Sequence, residues 1–446
     1  MMSYKKSVYN VEVENLGEKG LLLYNTFTGI FGIMDIKTQS VFNNIEDTMI
    51  EDIADEDLAK NVDIMIKSGY IIPSELDELS IVKFQRASYR YNRQAISLTI
   101  APTMNCNMCC PYCYENKGNI PMSKEIQERL IEFLKLQLEN NKNLKMLYIA
   151  WYGGEPLLEK DIIYYLSKKF IELCEENDIA YEASIVTNGV LLDADTSVRL
   201  VNECKISTAQ ITIDGMKEIH NQRRIMRNGR DSFNTIINNI DNCDKGLQIG
   251  IRVNVDRENL KELEPLTKFF LEEKGWGENP MFYFAPVGKF NESCDIEEEI
   301  CIPGREFASI SNEYQQLNYK INPEVAKQSF FPQNKKSTFC AAEALLNYVI
   351  DPEGYFYNCW HDVGRKESRT GDIRTPLLPT EKYLKWVLLD LHEKCEKCEY
   401  LPLCQGGCGV HRLDGGEPQC TYAYYNYKDT LKLAYEDYIL QKSKSA

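Results

Sequence analysis

Between residues 95 and 286 the chain switches repeatedly between two kinds of pattern. Short apolar runs at 96–101, 146–151, 182–187, 209–214, 248–255 and 281–285 read as strands. Between them, segments at 124–140, 159–176, 193–203, 231–241 and 258–273 carry apolar positions at helical spacing. Ser123 and Asp231 stand where N-caps are wanted. Regular β–α alternation implies an α/β unit with a parallel sheet and right-handed crossovers. Alternation alone fits a partial (β/α)6 barrel and a flavodoxin-like open sheet equally.

Residues 1–90 follow another rhythm and read as a separate small domain. Strand-like runs at 8–13, 21–24 and 32–35 are divided by Gly17, Gly20 and Gly29. Two helical patterns follow, 38–44 and 55–68, the second placing Leu58, Val62, Met65 and Ile66 on one face. Gly69 is the expected stop and 70–73 a further short strand. Residues 74–94 are polar, with Arg86, Arg90 and Arg93 close together, and read as a linker, with a helix as its alternative form, whose charges form a solvated face in preference to meeting an acidic leader. Residues 287–335 look like an irregular, acidic connector. A Cys-rich unit spans 336–425, and 426–446 reads as a C-terminal helix whose many Tyr serve packing.

Composition narrows the function. The chain has 446 residues, 43% of them hydrophobic, and a net charge of −16. That much apolar content supports a globular core, and the acidic balance argues against nucleic acid as a partner. No apolar run approaches membrane-span length and no signal segment opens the chain, so the expected compartment is the cytoplasm. Sixteen Cys against four His disfavour mixed Cys/His zinc sites and favour thiolate-held iron–sulfur clusters.

The cysteines are patterned. After the first barrel strand comes Cys106-x3-Cys110-x2-Cys113, three thiolates on one tight loop. A four-iron cluster needs four ligands, so three thiolates leave one iron open for chemistry. The rival reading, two zinc knuckles formed by Cys106-x2-Cys109 and Cys110-x2-Cys113, lacks the intervening loop needed to wrap one tetrahedral ion. A second constellation begins at Cys340, passes Gly354 to Cys359, continues as Cys395-x2-Cys398-x5-Cys404-x3-Cys408 and closes at Cys420. Strand-like runs at 348–350 and 355–357 flank Asp351-Pro352-Glu353-Gly354, a turn that folds Cys340 toward Cys359.

The Cys106 loop, with Tyr112 before its last Cys, resembles the defining motif of radical S-adenosylmethionine (SAM) enzymes, and the resemblance favours the partial (β/α)6 TIM barrel. The seven later cysteines resemble the SPASM domain of enzymes that modify peptides and proteins. Further motif-like residues fall at successive strand ends. Gly153-Gly154-Glu155 resembles the GGE motif that holds the SAM amino group, and Thr187-Asn188-Gly189 resembles the family's TNG turn. Thr212 and Asp214 end the fourth strand. In His220-Asn221-x2-Arg224, the Arg corresponds to one that approaches the SAM carboxylate, although Arg223 beside it leaves the assignment open by one residue. Asn221 stands where Asp is frequent. Residues 252–255, with Asn254, face the adenine in this reading. The order of elements in residues 1–90 resembles the RiPP recognition element, a winged-helix-like domain that binds leader peptides by adding them as a strand to a sheet edge.

The resemblance implies three [4Fe-4S] clusters. Cys106, Cys110 and Cys113 hold the SAM-binding one. Cys395, Cys398, Cys404 and Cys420 hold an outer auxiliary cluster, and Cys340, Cys359 and Cys408 an inner one. The six residues before Cys340 contain no Cys. The inner cluster therefore either takes Cys301 or Cys294 as its fourth ligand or keeps an open iron able to bind a substrate thiolate. The function implied is maturation of a Cys-containing precursor peptide of the sactipeptide or ranthipeptide kind, with a thioether product. The reductant implied is flavodoxin or ferredoxin. The alternatives are carbon–carbon crosslinking, sulfatase maturation to formylglycine, and a simple iron–sulfur electron carrier. Sulfatase-maturing relatives carry Asp directly after the Cys corresponding to Cys359; here Trp360 fills that place and Asp362 follows two residues on.

Overall fold

The computed structural model describes residues 3–48, 50–289, 294, 296–324, 335–376 and 378–444. Its N-terminal unit contains β1 (Tyr4–Lys6), β2 (Asn10–Asn15), β3 (Leu21–Asn25), β4 (Phe31–Met34), α1 (Ile36–Asn43), α2 (Glu56–Ser68) and β5 (Ile71–Pro73). β2, β3 and β4 form an antiparallel sheet with β3 in the middle, while β1 pairs with β5. Asp55 caps α2 by accepting from Asp57 N and Leu58 N, and Gly69 ends it with φ of 75°. One sheet face packs Leu21, Leu23 and Met34 against Val62 and Met65. The other packs Val11, Val13, Leu22 and Tyr24 against Tyr400, Leu403, Tyr427 and Leu431. All five residues of β3 are consequently buried.

The segment expected as a solvated linker is the helix α3 (Glu78–Arg90). Arg86 and Arg90 are buried instead of solvated, at 2% and 5% exposure. Arg90 Nη2 donates to Val387 O at 2.7 Å and Arg86 Nη2 to Leu389 O at 3.2 Å. Both arginines also ion-pair with buried Glu343. A charge run in sequence carries no sign of the carboxylate 257 positions away, which is why it reads as solvated.

Strands β6 (Ala95–Ile100), β7 (Met146–Trp151), β8 (Ala180–Val186), β9 (Ile206–Thr212), β10 (Gln248–Val255) and β11 (Met281–Pro286) pair in chain order, all parallel. Between them run α4 (Lys124–Asn140), α5 (Lys160–Glu176), α6 (Ala194–Asn202), α7 (Lys217–Arg223), α8 (Ser232–Asn242) and α9 (Leu263–Lys268). The fold is the expected α/β partial barrel. Strand residues such as Leu98, Ile149, Ile185, Ile211 and Val253 share one buried core with Leu134, Phe170, Leu200, Ile236 and Phe270 of the helical layer. Ser123 caps α4 and Asp231 caps α8, as expected. The helix expected over 258–273 is broken into a 3-10 turn, α9 and a π-helical end at Phe269–Glu273. Pro265 sits in the first turn of α9, where its missing N–H costs nothing.

The connector expected to be irregular contains the 18-residue helix α10 (Gly304–Ile321); residues 325–334 lie outside the described part. The predicted hairpin forms as β12 (Asn347–Ile350) and β13 (Tyr355–Tyr357), and β14 (Gly371–Asp372) follows. β12 pairs in parallel with β6, so the Cys-rich unit continues the barrel sheet beside the strand that leads into the Cys106 loop. The C-terminal helix spans Tyr422–Lys444 and packs Tyr427 on Tyr24 and Tyr400, in line with a packing role. Among the described residues no helix is long and apolar enough to cross a membrane.

Candidate active site

The Cys106 loop leaves the end of β6 and is wedged against the turn that follows β7. Gly154 N donates to Thr103 O at 3.2 Å and Glu155 N to Asn105 O at 2.8 Å. Gly153 has φ of 109°, and a Cβ there would stand 2.4 Å from Thr103 O; one on Gly154 would stand 2.3 Å from Asn105 O. Both glycines are therefore demanded by contact between the two loops.

Glu155 is fully buried. Its Oε1 accepts from Leu157 N at 3.1 Å and Thr187 Oγ1 at 2.7 Å, and its Oε2 accepts from Asn188 N at 2.7 Å. Burial raises the carboxyl, and these three bonds oppose the rise. The carboxylate expected to hold an ammonium thus first clamps the turn after β8, with one Oε2 lone pair left over. Asn188 in turn reaches the cluster loop, where its Nδ2 donates to Asn107 Oδ1 at 2.6 Å and lies 3.8 Å from Cys106 Sγ.

On the far side of the loop Tyr112 is held by the later strands. Its hydroxyl donates to Asp214 Oδ2, and Arg224 Nη1 donates to it at 2.9 Å. Asp214 Oδ1 accepts from Asn254 N at 2.9 Å, which joins the ends of β9 and β10. Thr212, 8% exposed, pairs with Arg252 across the same two strands. His220 is fully buried and neutral. Burial and then Arg224 depress it, and its Nδ1 accepts from Asp214 N at 3.3 Å.

The two adjacent arginines have different partners. Arg223 forms a bidentate pair with Asp256, at 2.9 and 2.7 Å. Arg224 faces Tyr112, Cys110 and Asp214, whose negative character outweighs burial and holds it charged, and its buried Nε has no partner. A buried guanidinium with a spare donor beside the cluster loop suits a carboxylate ligand. Asn221 takes the structural part of its motif, its Oδ1 accepting from Ser232 N and Phe233 N at the start of α8.

The thiols fall into three sets whose members raise one another. Burial and then Glu155 push Cys106 up to about 11, with Cys110 adding to the rise. Burial and then Glu115 push Cys113 up to about 12, again with Cys110. Cys359 is raised by burial, by Asp362 and by the thiols of Cys340 and Cys408. Cys404 is raised to about 11 by burial and by Cys395, Cys420 and Cys398. Thiols crowded in this way hold their anionic form together only around a cation. Amides of residues two positions on are aimed at the sulfurs of Cys106, Cys113, Cys340, Cys359, Cys398, Cys404 and Cys408. N–H groups directed at thiolate sulfur tune iron–sulfur ligands. Buried Cys174, Cys204 and Cys243 belong instead to the apolar core. Cys109 is exposed, and its N–H is spent on Ile225 O, which argues against the paired-knuckle reading. Among the described residues no three His, Cys, Asp or Glu converge on a single-ion position. The donor set fits iron–sulfur clusters.

Cys294 and Cys301 lie elsewhere. Cys294 Sγ is bonded to Tyr112 O at 3.4 Å, and both cysteines pack with Val287 and Ile296 against Tyr112. Neither is among the groups that act most strongly on Cys340, Cys359 or Cys408.

The residues following Cys113 and Cys359 meet, a contact the sequence reading missed. Tyr114 and His361 have ring centroids 4.4 Å apart, and Tyr152 and Trp360 4.6 Å. The hydroxyls of Tyr114 and Tyr152 are 2.7 Å apart. Trp360 Nε1 donates to Thr99 Oγ1 at 3.1 Å. Against them Glu115 buries both carboxylate oxygens, and burial pushes it up to about 7, with Tyr152 opposing the rise. The available signal was adjacency to a metal-ligand Cys.

Residues 100–270 match the family model described as Radical SAM superfamily. The chain is 22% identical over 354 residues to the serine-type anaerobic sulfatase-maturating enzyme of Klebsiella aerogenes, covering 72% of this chain and 81% of that protein. It is 24% identical over 342 residues to the cysteine-type enzyme of Clostridium novyi, covering 71% and 88%. Its fold is similar to native anSMEcpe with bound AdoMet, with TM-score 0.59, 21% identity and coverage of 78% and 100%. It is also similar to Streptococcus suis SuiB bound to precursor peptide SuiA, with TM-score 0.51, 16% identity and coverage of 93% and 99%. The chain is an enzyme that carries a radical SAM domain over residues 100–270.

Proposed function

We propose that this enzyme matures a ribosomally made, Cys-containing peptide by forming a sulfur-to-carbon bond. The observation that carries the reading is the middle set of thiols, in which Cys340 and Cys408 act on Cys359 while Cys294 and Cys301 pack by Tyr112 instead. Three ligands leave a position for a substrate sulfur. The full assignment is Cys106, Cys110 and Cys113 for the SAM-binding cluster, that inner set, and Cys395, Cys398, Cys404 and Cys420 for an outer cluster.

SAM bound at the first cluster supplies a 5′-deoxyadenosyl radical able to take hydrogen from an unreactive carbon. The chain's residues place it. Arg224 receives the SAM carboxylate, the free lone pair of Glu155 Oε2 receives the ammonium, and Asn254 with Thr212 borders the adenine. Tyr152 and Tyr114, hydroxyl to hydroxyl, pack on Trp360 and His361 beyond Cys113 and Cys359.

The N-terminal sheet supports leader binding. Its β2 edge lies under the C-terminal helix, with Lys432 reaching Glu14, whereas Ile30, Ile33 and Ile36 on and beside edge strand β4 are 39%, 45% and 54% exposed. A leader adding a strand there gains main-chain hydrogen bonds and apolar burial. The sulfatase-maturation alternative draws on the names of the relatives, but the place of its Asp base is held here by Trp360, whose N–H is tied to Thr99.

Anaerobically reconstituted protein with dithionite, SAM and a Cys-containing precursor encoded beside the gene tests the reading. The expected results are 5′-deoxyadenosine release, lost in Cys106→Ala, and a peptide two hydrogens lighter with one Cys no longer alkylatable. A crosslinked peptide whose Cys all remain alkylatable would refute the thioether product. Deleting residues 1–90 or introducing Ile33→Asp should weaken leader binding at least tenfold.

A further inference from the structure

The barrel sheet buries one face under its helices and leaves the other open. Leu98, Ile149, Ile185, Ile211 and Val253 pack into the helical layer, so the residues between them on each strand line the concave side. On that side β9, β10 and β11 align Thr212, Arg252 and Tyr283 in one row and Gln210, Gly250 and Met281 in the next. Tyr283 and Met281 are 40% and 52% exposed. The Tyr283 hydroxyl donates to Gln210 Oε1 at 2.7 Å, across β10. A Cβ built on Gly250, on the strand between them, would meet no atom within 4 Å. Gly250 thus floors an open recess that Gln210 and Tyr283 wall and Arg252 heads.

Arg252 is held in place yet has no counter-charge. Its Nε donates to Asn254 Oδ1 at 2.7 Å, on the same strand and the same face. Among the described residues that is its one hydrogen bond, and it forms no ion pair. The carboxylates beside it are committed elsewhere. Asp214 accepts from Tyr112 with Oδ2 and from Asn254 N with Oδ1, and Asp256 holds Arg223. The chain carries 67 acidic against 51 basic side chains, so an unpaired guanidinium in a cleft does not reflect a shortage of acids. Its two terminal nitrogens form a planar fork matched to a carboxylate.

We propose that this recess takes a side-chain carboxylate of the peptide substrate, an Asp or Glu that follows the leader segment, and that Arg252 selects it. The inference rests on the peptide-maturase reading above and adds the chemistry of the segment presented to the barrel. A carboxylate accepting from both terminal nitrogens makes a forked, charge-assisted pair. The bare Gly250 leaves room for the methylenes that carry it. Asn or Gln of the same shape turns an NH2 toward the guanidinium and loses half of the fork. Bonds from Arg252 to Asn254, from Asn254 to Asp214 and from Asp214 to Tyr112 connect this anchor to the Cys106 loop. A peptide residue held there is therefore set in register with the SAM site.

The test uses full-length, anaerobically reconstituted protein and the precursor peptide encoded beside the gene, with each Asp and Glu after its leader replaced singly by Asn or Gln. Unsubstituted and substituted peptides compete in one vessel, and mass spectrometry reads the ratio of their crosslinking rates. Anisotropy of labelled leaderless peptides reads Kd without turnover. One acidic position should show a preference for acid over amide of about tenfold or more by both measures. Arg252→Gln should bring that ratio to about one, and Arg252→Lys should keep part of it. Gly250→Val, which fills the recess, should raise KM for the precursor. Each ratio is internal to one enzyme, so it is read even where a variant's overall rate falls. A precursor with no preferred acidic position, a ratio unchanged in Arg252→Gln, or SAM affinity lost in that variant with the ratio intact overturns the inference. Wild type that shows the Kd preference yet forms no thioether removes the reading above and keeps this one. A thioether formed equally on acid and amide peptides does the reverse.

Discussion

Glu155 Oε2 accepts the backbone N–H of Asn188 at 2.7 Å, so the turns after β7 and β8 are one unit. Because Asn188 also bonds Asn107, that unit fixes the cluster loop. Glu155→Gln would point an amide N–H at one of three donors. A lost bond to a buried charged group costs about 1.5–3 kcal/mol. The expected outcome is a lowered unfolding midpoint together with SAM affinity reduced at least tenfold, read by anaerobic thermal denaturation and calorimetry.

Arg223 and Arg224 are adjacent in sequence and differ in role. Arg224→Gln should weaken SAM binding by roughly ten- to a hundredfold, the worth of a charge-assisted bond of about 1.5–3 kcal/mol. Arg223→Gln strands Asp256, 1% exposed, without its partner. Breaking a buried pair from one side costs about 3–5 kcal/mol. SAM affinity in Arg223→Gln should stay near wild type while the denaturant midpoint falls. Reversed effects in the two variants would show that the assignment is off by one.

Cys294 and Cys301 pack in one cluster with Tyr112. Cys294→Ser and Cys301→Ser should keep the full iron complement of reconstituted protein. Cys359→Ala should lose about one four-iron cluster's worth. Loss of iron in either Ser variant would make that residue the fourth inner ligand and remove the open position.

Glu115 gives stability a pH dependence. Burial raises its folded value to about 7, above its ordinary value of 4.5. Between those values the folded state holds more proton than the unfolded state, so stability is lost as pH rises through that window. Glu115→Gln should remove this loss. Its unfolding midpoint should exceed that of wild type at pH 8 and match it near pH 4.5, by calorimetry on anaerobic protein.

Much of this protein was legible because its chemistry is written in local spacing. The spacing of the Cys106 loop, the caps at Ser123 and Asp231 and the hairpin after Cys340 each depend on residues within about a dozen positions, and backbone geometry sets their form. What only the tertiary structure decided involves partners far apart in the chain. It turned Arg86 and Arg90 from a solvated run into a buried knot around Glu343, assigned Arg223 to Asp256, and made α10 a helix where an irregular connector was expected. It also brought Cys340, Cys359 and Cys408 together and set Cys294 beside Tyr112. A charge or a thiol carries no local record of its counterpart, because the energy that pairs them arises only when folding excludes water from both.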